Sequence, residues 1–456
     1  MTDTPDNVVR LAALQDSGKE IGPASEDGLA LAFAERYADE LRFVAIWARW
    51  LRYDGTRWQY DDTLHVFDLI RTLCREVARE SGKSARTNAS AKTVAAVERL
   101  ARTDRCLAAT SRQWDAEPWL LNTADSTFDL RTGNEQLPAH LDYLTKQTAC
   151  GAAPIGTPHP LWTAFLARVT DGDIELQRFL QRYVGYCLTG LTVEHRFVFA
   201  YGTGANGKGT FINTVAGIFG DYATVADMAT FIESKTERHP TDLAKLNGAR
   251  LVVAQETQRG RKWDESKLKA ITGGDTITAR FMRQDFFDFA PSFKLLIAGN
   301  SKPQISCVDE AMRRRLLLVP FTVQIPQAER DLSLPDKLKT EWPAILRWCL
   351  DGCIEWQRIG LAPPASVQEA TESYFADQDT LGQWLDDCTE DGGPLAFTRI
   401  KDLFASWKEW CEARNHKPGT TTALSDMLAD RGFARKREGG TGQRGFVGLT
   451  VKAKSG

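Results

Sequence analysis

Apolar positions along this chain change their period several times, and each change marks an element. From Leu29 they recur every three or four residues through "LALAFAERYADELRFV", the spacing that lines one face of a helix. "WLRYDGTRWQYDD" sets aromatic residues on either side of an Asp-Gly pair, which predicts two short strands and a tight turn. Helical spacing returns to about Arg102, broken by the small polar "SGKSARTNAS", and "WLLNTADSTFDLRTGNEQL" reads as further short strands. The proline-rich "GAAPIGTPHPLW" marks a boundary, after which residues 163–192 are helical again. From 196 to about 330, apolar strand runs alternate with helices around a glycine-rich loop. "LAPPASVQ" marks a second boundary near 363. The remainder is helical at first, up to Gly432, and ends in "RGFARKREGGTGQRGFVGLTV", two strands about a glycine-rich turn. Four segments follow: a polar lead-in over 1–28, an N-terminal domain over 29–155, a central domain over 160–362 and a C-terminal domain over 365–456.

The 456 residues are enough for two or three cores, and 43% hydrophobic with 26% charged residues is globular composition. A net charge of −3 gives no overall attraction to nucleic acid, so contacts with it must come from local patches. Nine cysteines are scattered, and the nearest pair, Cys349 and Cys353, lies in a Trp-rich apolar stretch without histidine, as reduced core thiols would. No run approaches the ~18 apolar residues of a membrane span, and a cytoplasmic protein with no membrane partner is expected.

"FVFAYGTGANGKGTFIN" carries the chemistry. Gly202, Gly204, Asn206, Gly207 and Lys208 sit in a G-x-x-x-x-G-K arrangement between an apolar strand and an apolar helix. Glycines there let backbone N–H groups wrap a phosphate, the helix N-terminus supplies positive dipole, and the lysine reaches the outer oxygens. The eighth position departs: Gly209 stands where a Ser or Thr hydroxyl ordinarily ligates Mg²⁺, and Thr210 follows one place on. A glycine-rich turn in an ordinary αβ unit is the plain alternative. Downstream, "ARLVVAQETQ" is a buried-strand run ending in Glu256, placed to polarise a water directly or through a metal. "FKLLIAGN" ends in Asn300, whose amide suits a polar sensor of the γ-phosphate. "DEAMRRRLLLVPF" sets Arg313, Arg314 and Arg315 before a fourth apolar strand, either as a surface cluster or as an arginine finger.

In that order, together with "ESKLKAITGGDTITARFMRQDFFDF", these stretches resemble a superfamily-3 helicase, and more narrowly the helicase part of phage, plasmid and poxvirus-type primase–helicases. "FVAIWARWLRYDGTRWQYDD" and "LLNTADSTFDLRTGNEQLPAH" resemble the small domain that precedes that motor. The resemblance implies an α/β fold: an AAA+-type P-loop motor with a parallel central sheet, an α+β N-terminal domain and a C-terminal winged-helix-like domain. It implies ATP and Mg²⁺ as cofactors, a homo-hexamer with ATP sites between subunits, and 3′ to 5′ travel on single-stranded DNA. Lys208 and Thr210 would bind phosphate, Thr210 and Glu256 the metal, with Glu256 the catalytic carboxylate. Asn300 would be the sensor and Arg315 the leading finger, followed by Arg314.

"DTITARFMRQDFFD" alternates as a hairpin does and carries Arg280, Phe281 and Arg283, which the resemblance places in the ring's pore. Arg435, Lys436 and Arg437 form a basic segment in the C-terminal domain, read either as a DNA contact or as a solvated wing. Two rival readings remain. One is a primer-synthesising primase–helicase, against which the Asp61–Asp62 pair does not suggest a two-metal polymerase centre, so that a separate primase or replication initiator is the expected partner. The other is an ATP-dependent origin-binding or loading factor.

Overall fold

The computed structural model describes residues 25–80, 85–234, 241–255, 260–282, 285–305, 309–438 and 442–452. It separates into two compact units, one running to Asp129 and including Asn134–Gly151, the other comprising Leu130–Gly133 and everything from Ala152.

The first unit is α+β. Helices Glu26–Arg36, His65–Glu80 and Ala91–Ala101 share a core with strands Leu41–Val44 and Arg49–Tyr53, centred on Phe33, Phe43, Ile70 and Val97. The Asp-Gly hairpin forms, with Tyr53 opposite Trp58. Asp61 accepts backbone N–H bonds from Thr63, His65 and Val66 at 2.9–3.2 Å, which caps the following helix. Burial works against its ionisation, yet those N–H groups hold its carboxyl below the usual range. Asp61 is thus engaged as a helix cap, and its neighbour Asp62 is exposed. Residues 120–136 form a three-stranded antiparallel meander.

The second unit is built on a five-stranded parallel sheet. Its elements in chain order are α1 (Pro160–Val169), α2 (Ile174–Leu188), β1 (Phe197–Tyr201), α3 (Lys208–Phe219), β2 (Ala223–Val225), β3 (Leu251–Gln255) and α4 (Glu265–Gly273). Then come the hairpin strands β4 (Ile277–Ala279) and β5 (Phe287–Phe289), β6 (Lys294–Gly299), β7 (Leu316–Pro320), α5 (Trp342–Ile359) and α6 (Ala365–Gln378). Sheet order is β7-β1-β6-β3-β2, all parallel. Strands such as "FVFAY" and "KLLIAG" are apolar on both faces because helices cover both faces of the sheet. The register Leu316↔Phe197 to Pro320↔Tyr201 sets a common start edge and a common finish edge.

Sequence reasoning assigned α6 to the C-terminal domain, but its packing belongs to the central sheet. Tyr374 and Phe375 are buried in one cluster with Phe197, Trp263 and Leu318, and the Leu318 N–H donates to Thr371 Oγ1 at 2.9 Å. The proline pair at 363–364 ends one connection without ending the core.

Beyond α6 lie α7 (Thr380–Cys388), β8 (Thr389–Arg399), α8 (Ile400–Ala413), α9 (Thr421–Asp430), β9 (Arg435–Arg437) and β10 (Arg444–Val451). Their separate core contains Trp384, Leu403, Trp407, Leu424 and Phe446. Three strands pair antiparallel in the order β8-β10-β9. Strand β8 was not foreseen, because "EDGGP" reads as a turn; β10 supplies its ladder across two register shifts. Among the described residues, no helix is long and apolar enough to cross a membrane, and the cysteines are free thiols, with Cys349 and Cys353 buried.

Candidate functional site

The glycine-rich loop joins the finish edge of β1 to the first turn of α3. Gly202 has no room for a side chain, since a Cβ there would lie 2.0 Å from the Phe321 carbonyl oxygen. Gly207, the N-cap of α3, has φ of 80°, and its Cβ would meet Val169 Cγ1 at 2.4 Å. These two positions make the tight return that aims the first N–H groups of α3 into a cavity of about 320 Å³. Gly204, Ala205, Asn206, Gly207, Lys208, Gly209 and Thr210 line it on one side, with Gln255 and Ala298 to Asn300 on the other.

Lys208 is the electrostatic centre of this cavity. Only 6% exposed, it donates to Gly202 O at 2.7 Å, Asn206 Oδ1 at 3.1 Å and Asn300 Oδ1 at 3.3 Å. Asn206 is pinned in turn, its amide donating to Phe321 O at 2.9 Å. Burial pushes the Lys208 pKa down. Among the described residues its hydrogen-bond partners are neutral oxygens and no carboxylate pairs with it. A partly desolvated cation beside a helix N-terminus is a site for an anion.

Loop, Lys208 and Asn300 therefore converge, because β6 lies directly beside β1. Glu256 lies outside the described residues; Gln255 before it closes β3, lines the cavity and donates to Asn213 Oδ1 at 3.0 Å. A Cβ at Gly209 would meet nothing within 4 Å, so the missing hydroxyl reflects the residue and no steric bar. For magnesium, Thr210 is the hydroxyl at hand, and no cluster of three or more His, Cys, Asp or Glu forms a metal site among the described residues. That donor set fits a metal carried in with phosphates, as Mg²⁺ usually is, better than a cage of protein ligands.

The arginines stand elsewhere. They precede β7 at the start edge, and the five residues of β1 at ~3.3 Å each put them about 16 Å from the loop of the same chain. Arg315, ranked first as a finger from sequence, is turned inward and 9% exposed. Its Nε donates to Thr272 Oγ1 at 3.1 Å and its Nη1 to Ala311 O at 2.9 Å. Burial, and then the charge of Arg314, lower its pKa. Arg314 is exposed. Packing against Thr272 and Ala311 turns Arg315 inward, which the triplet alone could not tell.

Strands β4 and β5 pair antiparallel from Ile277↔Phe289 to Ala279↔Phe287, so the hairpin exists. It emerges just before the start of β6, on the edge opposite the cavity. Arg280 lies 4.8 Å from the Phe286 ring centroid, and Phe281 stacks on Phe287 at 5.6 Å. Phe281, Met282 and Phe286 are exposed; Arg283 lies outside the described residues. In the C-terminal domain, Arg435, Lys436 and Arg437 are exposed on edge strand β9 and line, with Arg444 and the first turn of α9, a cavity of about 400 Å³. Arg435 is neutralised locally by Asp426.

Two family models and several viral proteins match parts of the chain. Residues 30–171 match the family described as D5 N terminal like, and 200–315, from the loop to the arginines, match a family of unknown function, DUF5906. The chain is 26% identical over 271 residues to "Putative helicase L207/L206" of Acanthamoeba polyphaga mimivirus, covering 54% of this chain and 28% of that protein. It is 21% identical over 343 residues to "Putative primase C962R" of African swine fever virus, covering 69% and 35%. These matches support a phage and viral primase–helicase family for the chain. It spans about a third or less of the length of these relatives. In fold it is similar to the apo C-terminal region of NrS-1, with a TM-score of 0.51 at 10% identity over 93% of this chain and 99% of that one. The stretch matched by the second model holds both the cavity and the arginines.

Proposed function

We propose that this chain is an ATP-dependent DNA helicase motor of the AAA+ type that acts in replication of a phage, prophage or plasmid-type element. The observation that carries the reading is the Lys208 cavity: a buried ammonium held by neutral oxygens, at a helix N-terminus, with Asn300 of the adjacent strand at 3.3 Å. Lys208 and the α3 N–H groups bind the β- and γ-phosphates in this phosphate loop, and Thr210 with Glu256 holds the Mg²⁺ that travels with ATP. The metal, once bound, neutralises charge on the phosphates. Glu256 orients and deprotonates the attacking water, and Asn300 registers the γ-phosphate.

An arginine about 16 Å away on the opposite sheet edge would reach a phosphate only on a neighbouring subunit, which supports a site shared between chains, and the assembly proposed is a ring, a homo-hexamer. Exposed Arg314 takes the finger role in place of Arg315. The β4–β5 hairpin, with Arg280, Phe281 and Arg283, faces single-stranded DNA in the ring's channel as the motor travels 3′ to 5′ along it. The helix–strand–helix–helix–strand–strand order of the C-terminal domain suits a winged helix, with Arg435, Lys436 and Arg437 on the wing. A separate primase or replication initiator is the partner proposed for it.

The test is DNA-stimulated ATP hydrolysis and displacement of a strand from a 3′-tailed duplex, run beside primer synthesis on bare single strands. Unwinding without primer synthesis is expected. Primer synthesis would favour the primase reading, towards which the swine-fever relative's name points. ATP-dependent binding to duplex DNA without turnover would favour a loading factor.

A further inference from the structure

Asn300 follows β6 at one edge of the sheet and Arg314 precedes β7 at the other, and helix α6 touches described residues between them. Tyr374, 1% exposed, donates its hydroxyl to Pro303 O and accepts from Trp263 Nε1 at 3.2 Å. Trp263 meets Phe197 and Phe199 of β1 edge-on, at 5.8 and 5.5 Å. One turn on, Gln378 Oε1 accepts the Ile305 N–H at 3.2 Å. Phe375 lies 5.3 Å under the Arg313 guanidinium. Lys302, two residues past Asn300, sits 4.2 Å over the ring of Tyr201, the residue before the loop, and 5.8 Å over Tyr374.

From these contacts we infer that α6 is a splint across the ATP site: Tyr374 and Gln378 are positioning residues that hold the Asn300 segment, while Phe375 of the same turn steadies the arginine cluster offered to the neighbouring subunit. The inference rests on the ATPase reading above. Its physical basis is that the segment after Asn300 is paired at Gln304 with the chain at Arg261 and Trp263. To this α6 adds hydrogen bonds at Pro303 and Ile305 and a ring contact at Arg313, so that one rigid helix braces both the Asn300 segment and the arginines. The helix therefore acts on turnover, because binding is set by Lys208 and the loop, which α6 does not touch.

Three full-chain variants test this: Tyr374→Phe, which keeps the ring and loses the hydroxyl; Gln378→Ala; and Gln378→Glu, which keeps an acceptor oxygen. ATPase kcat and KM, equilibrium binding of a fluorescent ATP analogue, and thermal melting are measured for each. Expected is a fall in kcat of about fivefold for Tyr374→Phe and Gln378→Ala, the factor corresponding to one net hydrogen bond of ~1 kcal/mol. KM and analogue affinity stay within about twofold of wild type, and Gln378→Glu recovers most of the rate. Unchanged kcat in both losing variants would overturn the splint, and so would a fall in kcat that only tracks a smaller folded fraction. A wild-type chain with no ATP hydrolysis would instead remove the parent reading.

Discussion

Arg314 and Arg315 are neighbours in sequence with opposite expected phenotypes. Truncating Arg315 to Ala removes two charge-assisted hydrogen bonds, to Thr272 Oγ1 at 3.1 Å and to Ala311 O at 2.9 Å. At ~1.5–3 kcal/mol each, less the recovered cost of burying a guanidinium, the net loss is about 2–3 kcal/mol. For a unit of this size that lowers Tm by roughly 5–10 °C. Truncating exposed Arg314 costs under about 0.5 kcal/mol, so its Tm stays put, while loss of a finger lowers kcat by roughly 10³-fold. Thermal unfolding and phosphate release separate the two. Mixing Arg314→Ala with Lys208→Ala adds the decisive arm: interfaces that pair an intact loop with an intact arginine should regain part of the rate. The reasoning is refuted if Arg314→Ala turns over normally, while Arg315→Ala melts like wild type, is inactive and is rescued in the mixture.

Lys208→Ala should lose ATP hydrolysis and weaken nucleotide binding by about 10-fold or more, as the loss of a charged hydrogen-bond donor implies; equilibrium titration with an ATP analogue checks it. Arg280→Ala with Phe281→Ala should cut DNA stimulation more than the DNA-free rate and flatten the salt dependence of single-strand binding, by a slope of about 0.7 for the one charge removed. A chain ending at Asp379 should keep a cooperative thermal transition and hydrolyse ATP. One ending at Pro364 should not fold, since buried Val367, Tyr374 and Phe375 each contribute ~1.5–3 kcal/mol. Lys294, buried and pushed down to about 7, binds fewer protons folded than unfolded above that pH. Stability should therefore rise between pH 7 and 8.5 by at most ~1.4 kcal/mol per unit, and Lys294→Met should flatten the rise in a melting series.

The loop and its consequences were legible because they depend on local chemistry. Gly202 and Gly207 are needed by backbone geometry, Lys208 follows by spacing, and apolar runs buried on both faces announce parallel strands. The Asp-Gly hairpin and the β4–β5 hairpin were local in the same sense. Tertiary structure decided whatever depended on partners distant in sequence. It placed Asn300 beside Lys208, because sheet order sets strand neighbours and composition does not. It turned Arg315 inward and left Arg314 out, since only packing against Thr272 and Ala311 distinguishes members of a uniform triplet. It drew α6 across a proline pair into the central core, and it made a strand of "TEDGGPLAFTR", whose ladder partner β10 lies some fifty residues on. A sequence states which groups a segment offers, and the fold alone states which segment receives them.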